Sequence, residues 1–379
     1  MTAARIHASA LVFDAHVDTP QRLLFQHLDL GIRDPEGCID IPRMRDGNIG
    51  AIFFALWVPI EITGTLATKR ALDLLDAVLQ EVQRHAAELM LARTSTDVRK
   101  ARAENRIAIL LGVEGGHAIQ NSLGALRDFW ERGVRYLTLT HNAATDWADS
   151  SNDKAKNHGL TDFGREVIFE MNRLGMLVDI SHVSDKTFTD VIETSRAPVI
   201  ASHSCCRALS ASPRNLTDEM IKTLAARGGV IHIAFHNAFL SQEYLDARRA
   251  RGREVDDSEK EIEHRFAGDE ARILIELQKL SDNFIAAGKL PPVRWQRIVD
   301  HIDHAVALVG TDHVGLGSDF DGAYMPSGME DSSQLAKITR ELSQRGYAET
   351  DIHKILGENT LRVLGDVERI AQSYLSRKG

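Results

Sequence analysis

Short runs of apolar residues recur along the chain. Between most of them lies a longer segment whose apolar positions repeat with the helical period. The runs are rich in Val, Ile, Leu and Phe with little polar alternation, as expected of strands buried on both faces of a parallel sheet. Eight are predicted as strands: Leu11–Asp18, Ile49–Trp57, Ile107–Glu114, Tyr136–His141, Met176–His182, Val199–His203, Val230–Phe235 and Val314–Asp319. Helices are predicted over Thr68–Met90, Leu123–Arg132, Thr161–Leu174 and Thr217–Arg227, with Thr161 placed as an N-cap and Gly133 and Gly175 as stops. Eight strands alternating with helices predict an α/β fold, a closed (β/α)8 TIM barrel. The stretch Ser241–Asp300 is too long and too charged for an ordinary connection. It is expected to be a helical insertion between strands 7 and 8, over the catalytic face, the alternative being a solvated excursion far from chemistry. No linker or repeat divides the chain, so residues 1–379 are expected to form one barrel domain.

The polar residues fall where such a barrel keeps its chemistry, at the C-terminal strand ends. Strand one ends in Asp14-Ala15-His16-Val17-Asp18, strand three in Glu114-Gly115-Gly116-His117, and strand four in His141-Asn142. Strand five ends in Ser181-His182, strand six in His203-Ser204, and strand eight in Asp319-Phe320-Asp321-Gly322. A core strand has no structural need to end in a bare carboxylate or imidazole. His16 and Asp18 are two apart and share a face, so together they can grip one ion. His182 and His203, on neighbouring strands, can grip a second, and Glu114 has two oxygens with which to bridge both. Imidazole and carboxylate ligands suit Zn²⁺, with Mn²⁺, Co²⁺ or Ni²⁺ as substitutes. Two adjacent ions activate a water and polarise the bond under attack. A lone HxD pair is weak; five candidate ligands on four strand ends are specific. His7, His27, His85 and His353 fall in helices or loops and are read as surface residues.

Composition narrows the partners. The net charge of −9 over 379 residues, with both signs mixed along the chain, argues against nucleic acid or an anionic membrane surface. Three cysteines, Cys38, Cys205 and Cys206, suggest no disulfide framework and fit a reducing compartment. The N-terminus carries no long apolar segment, and Gly50–Ile60 is too short to span a bilayer. A soluble, cytoplasmic protein is expected.

Several stretches together resemble the membrane (renal) dipeptidase family of zinc metallopeptidases, within the amidohydrolase-like barrels. They are FDAHVDTP at Phe13–Pro20, GVEGGHAI at Gly112–Ile119, RYLTLTHN at Arg135–Asn142 and LVDISHVS at Leu177–Ser184. PVIASHS at Pro198–Ser204, SPRNLTD at Ser212–Asp218, VGLGSDFDG at Val314–Gly322 and GENTLRVL at Gly357–Leu364 continue the likeness in order. The resemblance implies a binuclear dipeptidase holding two Zn ions per chain. It places His16 and Asp18 on the first, His182 and His203 on the second, and Glu114 between them. It implies that His141 stabilises the oxyanion, that Arg214 holds the free carboxylate of a dipeptide, and that Asp319 shuttles the proton. By sequence alone Arg207 is as good a clamp as Arg214, and Asp321 can exchange roles with Asp319. His117 is read as supporting a ligand, and Asp14 as orienting one or capping a loop. Hydrolysis by a hydroxide held between the ions is implied, with L-Xaa-D-Xaa dipeptides among the substrates.

The mammalian members are secreted, disulfide-bonded and lipid-anchored. Here there are no matching cysteine pairs and no apolar C-terminal tail, so the chain resembles a soluble bacterial-type member. Phe235-His236 stands where the family often has an aromatic pair, which leaves side-chain preference open. A homodimer is compatible with the resemblance. Two other functions remain open: a barrel metallohydrolase acting on lactones, cyclic amides or phosphoesters, and a non-hydrolytic tailoring or metal-binding protein on the same scaffold.

Overall fold

The structure is a computed structural model and describes residues 2–376. Its strands are β1 (Val12–Val17), β2 (Ile49–Trp57), β3 (Leu89–Leu91), β4 (Ile107–Glu114), β5 (Val134–Thr138), β6 (Leu177–Asp179), β7 (Ile200–Ser204), β8 (Val230–Ile233) and β9 (Val314–Leu316). All pair in parallel. The order β2-β1-β9-β8-β7-β6-β5-β4, closed by β2 pairing with β4, makes an eight-stranded barrel with helices outside it. This is the (β/α)8 architecture that the alternating pattern predicts. Several strands end two or more residues earlier than expected, so His141, His182 and Asp319 stand on the turns just beyond β5, β6 and β9.

Two expectations need correction. The helix expected over Thr68–Met90 runs from Thr65 to Arg84, and Met90 belongs to β3. β3 pairs with Ile107–Ile109 of β4, below the point where β5 takes over at Leu111. It fills the gap left because β5 starts higher on the barrel. His7, read as a surface residue, is buried, with Nδ1 2.8 Å from Thr339 Oγ1 and Nε2 3.1 Å from the Gly47 carbonyl.

Alternation along the strands divides the core in two. Val12, Ile52, Phe54 and Ile109 pack outward against the helices. Phe13, Phe53, Leu110 and Tyr136 fill the barrel interior, with Leu361, Leu364 and Val367 of the helix Asn359–Ser376 joining them. The alternation slips in β1. Its register against β2 shifts between Val12 and Phe13 and again between Asp14 and Val17. Phe13 and His16, three residues apart, therefore both reach the interior.

The segment after β8 is helical, as expected, with helices Gln242–Ala250, Gly252–Arg265 and Glu270–Ala286. Its last part is the start of the helix Gln296–Val309, which leads to β9. That helix is anchored by His301, whose Nδ1 accepts the Cys206 N–H at 3.0 Å and whose Nε2 lies 3.1 Å from the Leu240 carbonyl. An Nδ1 that accepts must be unprotonated, so Nε2 carries the proton and donates. Burial lowers the imidazole pKa to about 4. Folding thus favours the neutral form. Its stabilisation is complete above the unfolded value of about 6.5 and is lost as pH falls towards 4. On going from pH 7 to pH 5, His301 should cost about 2 kcal/mol of stability. Urea midpoints should fall over this range, and less steeply in His301→Gln; equal slopes for the two proteins would contradict the assignment.

Candidate metal centre and active site

The C-terminal ends of β1, β4, β6, β7 and β9 bring the sequence-predicted residues to one buried cluster. Glu114 ends β4 and lies at its centre. Its Oε2 is 3.5 Å from His16 Nε2, while Oε1 is 3.1 Å from His182 Nε2 and 3.5 Å from His203 Nε2. His16 Nε2 is also 3.6 Å from Asp18 Oδ2 and 3.9 Å from Asp319 Oδ1. His182 and His203 meet Nε2 to Nε2 at 2.9 Å. The two oxygens of Glu114 thus face two different sets of side chains.

Local chain features create this convergence. His182 and Asp319 have φ of 69° and 65°, the left-handed region that non-glycine residues seldom occupy. Each stands on the turn just past a strand, where the excursion re-aims the side chain. A Cβ at Gly322 would lie 2.0 Å from Asp18 Oδ2, so only glycine leaves room for that carboxylate. A Cβ at Gly112 would meet the Tyr136 ring at 2.0 Å. The Tyr136 hydroxyl lies 2.9 Å from His16 Nδ1. Asp14 Oδ1 accepts the N–H groups of His16 (3.2 Å) and Ser318 (2.9 Å), joining β1 to the β9 turn.

The electrostatics call for a cation. Asp18, Glu114 and Asp319 are all buried beside one another. Burial, reinforced by the Asp18 charge, pushes the Asp319 carboxyl up to about 8. Burial pulls on the His16 imidazole in the opposite sense, but Glu114 and Asp18 outweigh it and hold His16 well above its ordinary value. His182 and His203 are driven well below theirs, chiefly by burial and then by the nearby charges of Arg214 and His16. His182 and His203 are thus neutral, as a divalent metal requires, while the protons that His16 and Asp319 retain in this carboxylate cluster are ones a bound cation would displace. His16 Nε2, Asp18 Oδ1 and Glu114 Oε1 are buried with no hydrogen-bond partner, a costly condition that coordination relieves. Within this cluster three groups have ligand atoms within 4.8 Å of one another: His16 with Glu114 and His203; Glu114 with His141 and His182; His16 with Asp18 and Asp319. The donor set fits a metal pair.

Above the cluster opens a cavity of about 640 Å³, a size suited to a small ligand. His141 lines it, tilted against Trp57 with ring centroids 5.3 Å apart. Burial, then the Arg214 charge, lowers its pKa to about 3, so the ring is neutral. Arg214 also lines the cavity and is buried, its guanidinium over the Phe239 ring and its Nη2 donating to the His203 carbonyl at 3.1 Å. Its Nε has no partner. Burial lowers its pKa to about 10, which leaves it a cation at neutral pH. Arg207, the alternative clamp, instead pairs with Asp185 at 2.7 Å on the surface. Asp321 accepts from Thr19 Oγ1 (2.7 Å) and the Cys38 N–H (2.9 Å), so its oxygens are engaged in holding loops. His117 lies 3.3 Å from the Pro59 carbonyl rather than in the cluster.

The insertion supplies the far wall of the cavity. Leu274, Leu277, Gln278 and Lys279 line it, together with Arg22 and Tyr324 from the barrel rim. Tyr324 donates to Glu259 at 2.7 Å and the Met325 N–H to Gln278 at 2.9 Å, joining the insertion to the turn that carries Asp319. These wall residues carry no sequence motif, and nothing in the linear pattern places them. His236 lines the same cavity, stacked on Phe239. Cys38, Cys205 and Cys206 are free thiols. No helix among the described residues is long and apolar enough to cross a membrane.

Comparison with known proteins identifies the family and the fold. The membrane dipeptidase family, peptidase family M19, matches residues 1–378. The crystal structure of the dipeptidase AC, a metallopeptidase of family M19, is 27% identical, covers 95% of this chain and 99% of its own, and superposes with a TM-score of 0.78. The probable dipeptidase PvdM from Pseudomonas aeruginosa is 26% identical, with coverage of 97% and 98% and a TM-score of 0.82. A metallopeptidase from Rhodobacter sphaeroides, solved with a phosphinate mimic of the dipeptide L-Ala-D-Ala, is 26% identical, with coverage of 94% and 99% and a TM-score of 0.76.

Proposed function

The chain belongs to the membrane dipeptidase family and is a metal-dependent dipeptidase, and from that premise we propose that it is a binuclear zinc enzyme whose substrates include L-Xaa-D-Xaa dipeptides. The observation that carries the two-metal reading is the position of Glu114, with one oxygen towards His16 and the other towards His182 and His203. His16 and Asp18 then serve one zinc, His182 and His203 the other, and Glu114 both. When bound, the pair supplies an activated water and polarises the scissile carbonyl.

The remaining work falls to side chains already in place. Arg214, a buried cation with an unpartnered Nε, binds the free C-terminal carboxylate; a guanidinium fork matches a carboxylate's two oxygens. A clamp beside the metal cluster leaves room for one residue beyond the scissile bond, and this sets the length limit. His141 is neutral and donates a hydrogen bond to the oxygen on which negative charge develops. Asp319, next to His16, takes the proton from the attacking water and returns it to the leaving amine. Support for the stereochemistry comes from the L-Ala-D-Ala mimic bound to the Rhodobacter sphaeroides relative.

Arg214→Met should raise KM for dipeptides roughly ten- to a hundredfold, as expected for one lost charge-assisted hydrogen bond, while metal content stays unchanged. The wild-type enzyme should correspondingly discriminate against dipeptide C-terminal amides and against tripeptides. Comparable kcat/KM for a dipeptide and its amide would place the clamp elsewhere.

A further inference from the structure

Beneath the metal cluster lies a polar network that the proposed reaction leaves unused. Asp179, the last residue of β6, is fully buried and accepts four hydrogen bonds. Its Oδ1 takes the backbone N–H of Ser181 (3.0 Å) and of Ser202 (2.8 Å). Its Oδ2 takes the hydroxyls of Thr138 and Ser202, both at 2.6 Å. The hydroxyl of Ser202 has a single proton, and that proton is committed to Asp179. Towards its other neighbours the oxygen can only accept. Those neighbours are His203 Nδ1 at 2.8 Å and, at the limit of hydrogen-bonding distance, His16 Nδ1 at 3.5 Å. Ser181 Oγ, at 3.3 Å, is the third.

The direction of this chain has a consequence for the metal cluster. His203 must carry its proton on Nδ1 to donate to Ser202. Its Nε2 lone pair is then free, and Nε2 is the atom that faces Glu114 and His182. Ligating imidazoles commonly depend on such an outer acceptor, which fixes ring orientation and tautomer. Here the carboxylate stands behind His203, whereas His16 Nδ1 meets the Tyr136 hydroxyl more closely, at 2.9 Å. We propose that Asp179, acting through Ser202, is a positioning residue for the metal pair: it sets the tautomer and orientation of His203. The proposal rests on the reading of His203 as a metal ligand.

The test is zinc affinity, measured by competition with a chromogenic chelator, with stoichiometry by elemental analysis and thermal melting of the metal-free proteins. Ser202→Ala should weaken zinc binding by ten- to a hundredfold, the usual cost of losing an outer partner. Asp179→Asn should weaken it more. An amide at position 179 donates to Ser202, the Ser202 proton turns to His203 Nδ1, and His203 is forced into the Nε2–H form that cannot ligate. Ser202→Thr keeps the hydroxyl and should restore most of the affinity. A purely structural role predicts lower melting temperatures with zinc affinity unchanged across the set, and that result overturns the proposal. Should Asp179→Asn fail to fold, the Ala and Thr variants of Ser202 decide between the same two outcomes. His203→Ala separates the two layers of the argument. If it leaves zinc content at the wild-type level, the ligand assignment fails and the proposal falls with it. If it removes zinc while both Ser202 variants and Asp179→Asn bind as wild type, the proposal alone fails.

Discussion

Glu114→Gln should lower kcat by at least 10³-fold, about 4 kcal/mol of transition-state stabilisation, and should leave less than a full complement of metal. The substitution keeps the side chain's length and shape and exchanges one oxygen for an amide NH₂. In the structure Oε2 faces His16 at 3.5 Å and Oε1 faces His182 at 3.1 Å, so whichever position receives the nitrogen loses its ligand. An NH₂ group has no lone pair to offer a metal, and it presents protons to a site built for a cation. The negative charge of Glu114 is lost as well, and with it part of the field that draws divalent ions into a buried pocket. Elemental analysis of the purified variant beside a dipeptide assay reads both effects. Full metal content with undiminished turnover would remove Glu114 from the bridging role.

Asp319→Asn is expected to act on turnover alone. Asp319 lies 3.9 Å from His16 Nε2, at the edge of the metal cluster, and lines the substrate cavity. A carboxylate there can take a proton from water and release it to an amine; a carboxamide of the same shape can do neither. Losing a general acid–base group costs about 10²–10⁴ in rate. kcat should fall by that factor, with KM and metal content close to wild type. Asp319 also groups with His16 and Asp18 at ligand distance, which gives the experiment a clear second outcome. If the variant loses one metal, Asp319 is a ligand and the proton carrier must be sought elsewhere.

Much of this molecule is legible in its sequence, for identifiable reasons. Doubly buried parallel strands announce themselves as unbroken apolar runs, which is why all eight barrel strands are found. Ser, Thr and Gly at helix ends are equally readable: Thr161 caps Asp162–Leu174 and Gly175 ends it with φ of 77°. The five candidate ligands stand out because a strand end offers a carboxylate or imidazole no structural role.

What stays hidden depends on three-dimensional context. β3 has three residues and directly follows an amphipathic helix, so Met90 fits the helical period. His7 has the sequence surroundings of a surface residue, and only its contacts with Thr339 and Gly47 show it to be buried. Arg214 and Arg207 are indistinguishable until the loop folds one into the cavity and the other onto Asp185. The phase slip in β1 that admits both Phe13 and His16 to the interior leaves no mark on composition. Asp179 sits inside the run LVDIS and reads as a strand residue; its importance comes from the four donors that meet it.

The central claim is that two metal ions held by His16, Asp18, Glu114, His182 and His203 make this chain a dipeptidase. It is tested most directly by titrating zinc into metal-free protein while following hydrolysis of an L-Xaa-D-Xaa dipeptide. The account predicts no turnover without metal and full activity at two zinc ions per chain, with matched tripeptides left intact. Dipeptide turnover that is complete at one zinc per chain, or that survives removal of all metal, would contradict it.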